Sequence, residues 1–347
     1  MNYLLAVDRL NRLTLLSLKS MRRLPYLLPP LLLLHIAGAK PAPYIRITEV
    51  PDGEIQLQVA IRKLEHATDS NAPPIWLSAV AHVGEKSYFD TIQKHLDQQA
   101  LVLFEGVGFH PNKATRLKGE RGAGNFQRDM VEKSIQEDIA KSLGLLYQLG
   151  AIEYDRSNFL NSDMSAQEFM THFQLGTKQS ILSGNAKEDR DATRFLATIA
   201  GTSAVTKILK GFLKLFGTSP KFQGVARLVL IETLGSLGNE ISNTDKLPES
   251  MQKLMEMILQ KRNKIVLQDL RKVMNAKERP KSISIFYGAA HMPHLETRIT
   301  KSLEYKPASD TWLTCFSVRP DQQGLTETDI KFVRRLVAIQ IKKYINQ

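Results

Sequence analysis

The chain has a single cysteine, Cys315, in 347 residues. No internal disulfide can form, and zinc sites built from several thiolates are excluded. Set in the apolar run TWLTCFSV, Cys315 reads as a buried strand residue. Long uninterrupted apolar segments are also missing. The uncharged, leucine-rich stretch 24–39 is broken by Pro25, Pro29 and Pro30, whereas a membrane-spanning helix needs about 20 apolar residues. A phosphate-cradling loop is absent as well. Residues 110–124 are Gly-rich and carry Lys113, Arg116, Lys118 and Arg121, but Gly119-Glu120-Arg121-Gly122 lacks the Gly-Lys-Ser/Thr pattern and a strand before it, so the segment reads as a solvated flap. No extended internal repeat is present.

What is there is a large and moderately basic globular composition. The chain is 43 % hydrophobic and 24 % charged, with a formal net charge of +12 from 47 Lys+Arg against 35 Asp+Glu. That balance favours acidic surfaces such as membranes, and by itself it does not imply nucleic acid, which is not expected as a partner. The N-terminus has the layout of a targeting signal: a basic Met21-Arg22-Arg23, the leucine-rich core 24–36 and a small-x-small Ala37-Gly38-Ala39. Residues 1–39 are therefore read as a signal segment cut after Ala39, leaving a working domain over 40–347. Residues 1–20 are then a long basic lead-in or lie before an internal start. Cleavage removes Arg9, Arg12, Lys19, Arg22 and Arg23 against Asp8, so the mature chain is less basic than the whole. The expected location is periplasmic or extracellular. An exported chain so poor in cysteine relies on its core or on a metal for stability.

Three apolar runs organise the rest. IWLSAVAHVG (75–84) delivers His82, ALVLFEGVG (100–108) ends on Glu105, and SISIFYGAAHMPHL (282–295) delivers His291 three residues after Gly288. Each is a buried-type strand that releases one chemically capable side chain at its C-terminal end, the usual place for an α/β site. Residues 87–98, with Phe89, Ile92 and Leu96, predict a helix that would join the first two strands as a βαβ unit and bring His82 and Glu105 to one sheet edge. Before them, Ile45 and Ile47, the turn Val50-Pro51-Asp52-Gly53 and the alternating Ile55, Leu57, Val59 and Ile61 predict a hairpin with one buried face and one wet face. Two histidines and a carboxylate at strand ends suit a divalent metal with an open coordination position.

From 127 to 260 the periodicity is mainly helical. Leu143, Leu146 and Leu149 suggest one helix, and Ser165-Ala166-Gln167-Glu168 is a capping-box pattern. In 194–216, Lys207, Lys210 and Lys214 share one helical face opposite Ile208, Leu209, Phe212, Leu213 and Phe216. That face is either a solvated side of a packed helix or a peripheral membrane contact attracted to anionic lipid. Residues 251–274 predict a further helix containing Arg262 and Asn263, 311–318 a last strand, and 326–344 a closing helix with Thr326 and Asp329 at its start and Lys342-Lys343 near its end.

AVAHVG (79–84), Glu105-Gly106-Val107 and YGAAHMP (287–293) resemble the two Gly-x-x-His motifs and the intervening glutamate of the TraB/PrgY/Tiki/GumN family. Arg262-Asn263 upstream of the second motif, and Tyr154-Asp155-Arg156 with Asn161-Ser162-Asp163-Met164, are similar to that family too. The likeness spans about residues 75–318, and its one departure is Ala79 where the family has Gly. Members include animal Wnt-inactivating metalloproteases and bacterial proteins tied to peptide pheromone shutdown. The resemblance implies a single α/β domain with a mixed, partly parallel central sheet of the erythromycin esterase/ChaN-like kind, and a large helical insertion over 127–260. It implies a metal-dependent hydrolase of peptide-like or small-molecule substrates using Zn, Mn or Co, with His82 and His291 as ligands and Glu105 as ligand or general base. Arg262 and Asn263 would orient substrate or the ligands, and Tyr287 would stabilise an oxyanion. His294, one turn after His291, and His110, in the loop after Glu105, are further candidates. A non-catalytic protein that sequesters a peptide or a haem-like molecule in the same pocket is the competing reading.

Overall fold

The computed structural model of the chain describes residues 41–107, 140–165, 167–169, 171, 219–240, 252 and 255–345. The segment 1–39 expected to be a signal, the basic stretch 110–124 with His110, and the stretch 194–216 with Lys207, Lys210 and Lys214 lie outside the described residues.

Strand β1 (Ile45–Glu49) turns into β2 (Ile55–His66) through Gly53, whose φ of 82° only glycine adopts without strain and whose N–H donates to the Val50 carbonyl at 2.8 Å. The long β2 is the spine of the antiparallel half. Strand β9 (Tyr305–Val318), longer than the 311–318 expected, pairs with it from end to end, while β1 and then β3 (Ile75–Val80) share its other edge. From β3 onward the sheet is parallel, in the order β3-β8-β5-β7, with β5 (Leu101–Phe104), β7 (Phe159–Asn161) and β8 (Ile283–Gly288). The result is one mixed seven-stranded sheet, the α/β architecture expected.

Its strand order differs from a simple βαβ unit. Helix α1 (Lys86–Asp97), which buries Tyr88, Phe89, Ile92 and Leu96, does link two parallel strands, but β8 lies between β3 and β5. Every residue of ISIFYG is buried, so this strand is stable only with partners on both edges and cover on both faces. Hydrophobic periodicity carries no information on which neighbours a strand takes. The stretch 127–260, expected to be mainly helical, also contributes strands: β7 within it belongs to the central sheet and β6 (Leu146–Tyr147) pairs with β4 (Val83–Gly84). Leu143, Leu146 and Leu149 are not on one helix. Gly144 at φ 65° closes a tight turn after Leu143, and Leu149 falls in a separate single turn at Gln148–Ala151. The capping box does form, with the Ser165 amide donating to Glu168 Oε2 at 3.0 Å and the Glu168 amide to Ser165 Oγ at 3.2 Å.

Helices α2 (Pro220–Glu240), α3 (Arg262–Met274), α4 (Met292–Leu303) and α5 (Glu327–Ile345) complete the layers. A π-helical turn at Glu256–Lys261 leads directly into α3. Thr326 and Asp329 cap α5 reciprocally, the threonine amide donating to the carboxylate at 2.9 Å.

The wet face expected of β2 is wet only in its first half. Ala60 and Arg62 are buried, because α4 brings Glu296 over that end of the strand. Arg62 donates to Glu296 Oε2 at 2.7 Å and to both oxygens of Asp310 on β9 at 2.7 and 2.8 Å, and its guanidinium stacks on the Tyr44 ring. Tyr44 donates to the same Glu296 oxygen at 2.7 Å. Removing one member of such a pair leaves an uncompensated buried charge, so Arg62→Ala is expected to cost about 3–5 kcal/mol in urea unfolding.

A second polar contact between layers is His95 on α1, whose Nε2 meets Ser78 Oγ at 3.1 Å, with Ser284 Oγ 2.8 Å beyond. Burial lowers the His95 pKa to about 4. The unfolded imidazole takes up a proton below about pH 6.5 and the folded one does not until about 4. The associated stability is therefore complete above pH 6.5 and is lost as the pH falls towards 4. His95→Gln is expected to flatten the acid limb of the stability profile by at most one proton, read from urea midpoints across that window.

Candidate active site

Each of the three apolar runs ends at the same edge of the sheet. His82 lies between β3 and β4; its carbonyl accepts the Gln148 amide at 2.8 Å, and its ring Nδ1 meets Gln148 Oε1 at 2.7 Å. The Gln148 amide nitrogen donates to the Tyr154 hydroxyl at 2.8 Å, and Tyr154 packs against Phe104, Phe159 and Phe286. With the amide in this orientation its oxygen can only accept, so Nδ1 of His82 carries a proton and, in the neutral ring, Nε2 keeps the lone pair.

His291 is held in the same way from the other side. After β8 the chain makes a 3-10 turn at Ala289–His291 and enters α4 with Pro293 in its first turn. The buried His291 ring presents Nδ1 to Asn263 Oδ1 at 2.7 Å, while the Asn263 amide nitrogen donates to the His291 carbonyl at 3.2 Å. Again Nδ1 carries a proton, and Nε2, bare in the neutral ring, faces Glu105 Oε1 across 3.5 Å. His294 also falls in α4. Its Nδ1 lies 3.0 Å from the Asn263 amide nitrogen and its Nε2 3.4 Å from Arg298 Nε, so the ring faces two donors, of which a neutral imidazole accepts from one.

Glu105, one residue beyond β5, is tied at both oxygens. Oε2 accepts the Gly288 amide at 2.6 Å and Oε1 accepts Arg262 Nη2 at 2.7 Å. Burial, the largest influence, pushes this carboxyl up, but the Arg262 charge, the largest of the opposing influences, outweighs it and holds the group well below the ordinary carboxylate range. Arg262 is bound in turn by Asp163, with Nε to Oδ1 at 3.0 Å and Nη2 to Oδ2. The Asp163 side chain is fully buried and also accepts the Gly106 and Met164 amides at 2.9 and 2.7 Å.

Asp163, Gln148 and Tyr154 are the residues that reasoning from sequence missed as parts of this site. Asn161-Ser162-Asp163 follows a strand in a polar, turn-forming run, and that was the available signal for Asp163. Nothing in the local sequence marks Gln148. Tyr287 is placed differently from the oxyanion role expected of it: it is buried, and its hydroxyl donates to the Ser162 carbonyl, fixing the loop that carries Asp163.

The glycine requirement in the two motifs is unequal. Ala79 sits fully buried in β3 in register with Tyr287, and among the described residues only Glu304 is a non-glycine residue with positive φ. Its methyl group therefore fills core space and leaves the site unaltered. At Gly288 the space itself matters, since a Cβ there would come within 3.3 Å of both Glu105 Oε2 and His82 Nε2. The absent side chain is where these two groups meet.

Among the described residues no group of three His, Cys, Asp or Glu side chains stands as a ready-made metal cage. The donor chemistry nonetheless fits a divalent cation. A bare imidazole nitrogen facing an ionised carboxylate places two lone pairs against each other, an arrangement that a cation or a proton between them relieves. Ligands about 2.1 Å from a tetrahedral ion lie about 3.4 Å apart, close to the His291–Glu105 separation of 3.5 Å. Amide oxygens behind both Nδ1 atoms are the supporting contacts that metal-ligating histidines carry. Comparison with family models, curated proteins and solved structures returns no match.

The crowded approach at Gly288 gives a direct test of this geometry. Gly288→Ala is expected to lose about 1–3 kcal/mol of stability in urea through overpacking between His82 and Glu105. Ala79→Gly is expected to leave the His82 and His291 ring resonances in place in a proton–nitrogen NMR spectrum.

Proposed function

We propose that the chain is an exported, metal-dependent hydrolase of peptide-like substrates, with His82, His291 and Glu105 holding a divalent ion such as Zn, Mn or Co. The observation that carries this reading is the pair of histidines fixed by Gln148 and Asn263 with bare Nε2 atoms, converging on a carboxylate kept ionised by Arg262. When bound, such an ion acidifies a water molecule and polarises the carbonyl under attack. The chain's own residues supply the rest. Asn263 and Gln148 hold the tautomers, and Arg262 with Asp163 orients Glu105 and balances its charge. Glu105 is the fixed negative charge of the site, because a carboxyl held so far below neutrality is poorly matched to carrying a proton back and forth at working pH.

A binding protein that sequesters a peptide or a haem-like molecule without turnover is the second reading. It is favoured by what the described residues show: both Glu105 oxygens already accept a hydrogen bond and the Tyr287 proton is committed to Ser162. Two measurements separate them. Mass spectrometry of the purified protein is expected to find stoichiometric Zn, Mn or Co in the parent and none in a His82→Ala/His291→Ala double variant. Metal-free parent protein after supplementation would remove the hydrolase reading. Against a peptide library, Glu105→Gln is expected to lower turnover by about a hundredfold or more, whereas sequestration would largely survive that neutral, isosteric change.

A further inference from the structure

Helix α5 carries two opposed apolar stripes, and among the described residues only one of them is packed against the core. Val333 and Val337 are buried, with Ile330 and Ile341 packed beside them against the core. Arg334 pins this side through Glu232 at 2.7 Å and through Glu49. On the outer side Phe332, Leu336 and Ile339 are 66 %, 42 % and 56 % exposed, three of the four large apolar side chains so exposed among the described residues. Their spacing of four and three places them in one stripe along the helix. The adjoining stripe is Lys331, Arg335, Ala338 and Lys342, all exposed. Lys331 pairs with Glu327 at 2.7 Å, while Arg335 and Lys342 make no ion pair among the described residues.

We infer that this outer face of α5 docks the protein on an anionic lipid surface. A row of Phe, Leu and Ile bordered by cations is the composition of an interfacial helix, whose apolar side chains enter the acyl boundary while Lys and Arg meet lipid headgroups. Charge decides between this occupant and a second copy of the chain. An isologous contact centred on the stripe would bring Arg335 close to its own equivalent, on a chain whose net charge is already positive. A negatively charged bilayer satisfies the same residues. The face is also presented rigidly, because the opposite stripe and Arg334 fix the helix to the domain and little ordering remains to be done on binding.

The test uses the full chain with vesicles of phosphatidylcholine alone and of phosphatidylcholine mixed with phosphatidylserine. Cosedimentation is expected with the anionic vesicles, weakening as salt is raised. Two variants, Phe332→Ser/Leu336→Ser/Ile339→Ser and Arg335→Glu/Lys342→Glu, are each expected to bind about tenfold more weakly or less, with unchanged circular dichroism. A Lys207→Glu/Lys210→Glu/Lys214→Glu variant is expected to bind as the parent does. Because Cys315 is buried, a Phe332→Cys variant can be labelled at that position with an environment-sensitive dye, which is expected to shift to the blue on adding anionic vesicles. An unshifted dye, or α5 variants that bind like the parent, would overturn the inference. So would a concentration-dependent dimer that the serine variant abolishes while vesicle binding is absent, which would assign the stripe to self-association.

Discussion

The described structure turns on how a buried carboxylate, Glu105, is kept charged. Its two oxygens take one hydrogen bond from the Gly288 backbone at the end of β8 and one from Arg262 at the start of α3. Arg262 is itself buried and needs a second anion, which Asp163 provides from the loop after β7. One charge thus ties together three neighbouring parallel strands and the helix above them. Each member of the network is stable in the interior only because the others are present. The same arrangement leaves the carboxylate facing the bare nitrogen of His291, the feature from which the chemistry was argued.

A second buried charge cluster works at the opposite end of β2. Arg62 satisfies Glu296 from α4 and Asp310 from β9, which fastens a helix of the parallel half to the antiparallel half of the sheet. Between these clusters the core is an ordinary apolar one, with β3, β5 and β8 covered on both faces. Polar groups mark where layers must meet in one register, and apolar side chains supply the bulk of the burial.

Much of this could be read in the residues themselves. The apolar runs ending in His82, Glu105 and His291 are continuous because their strands are buried on both faces, and that signal survives without any partner in view. The hairpin at Gly53 and the caps at Ser165 and Thr326 are equally local, set by backbone conformation and by contacts within four residues. Reading failed where the cause was distant. Leu143, Leu146 and Leu149 have helical spacing, yet Gly144 takes a left-handed conformation and Leu146 joins a short ladder with Gly84. Arg62 has the position of a solvent-facing strand residue, and only the arrival of α4 makes it a buried one.

The sequence alone determined the buried strands and capped turns, the chemistry available at each strand end and the basic balance of charge, because these follow from side-chain identity and short-range geometry. Tertiary structure alone decided that β8 lies between β3 and β5, that Gln148 and Asn263 select the histidine tautomers, and that Asp163 stands behind Arg262. It also decided that, among the described residues, the inner stripe of α5 is buried and the outer one exposed. Those outcomes depend on which segments are brought together across tens to hundreds of residues, and no pattern within a single segment records its neighbour.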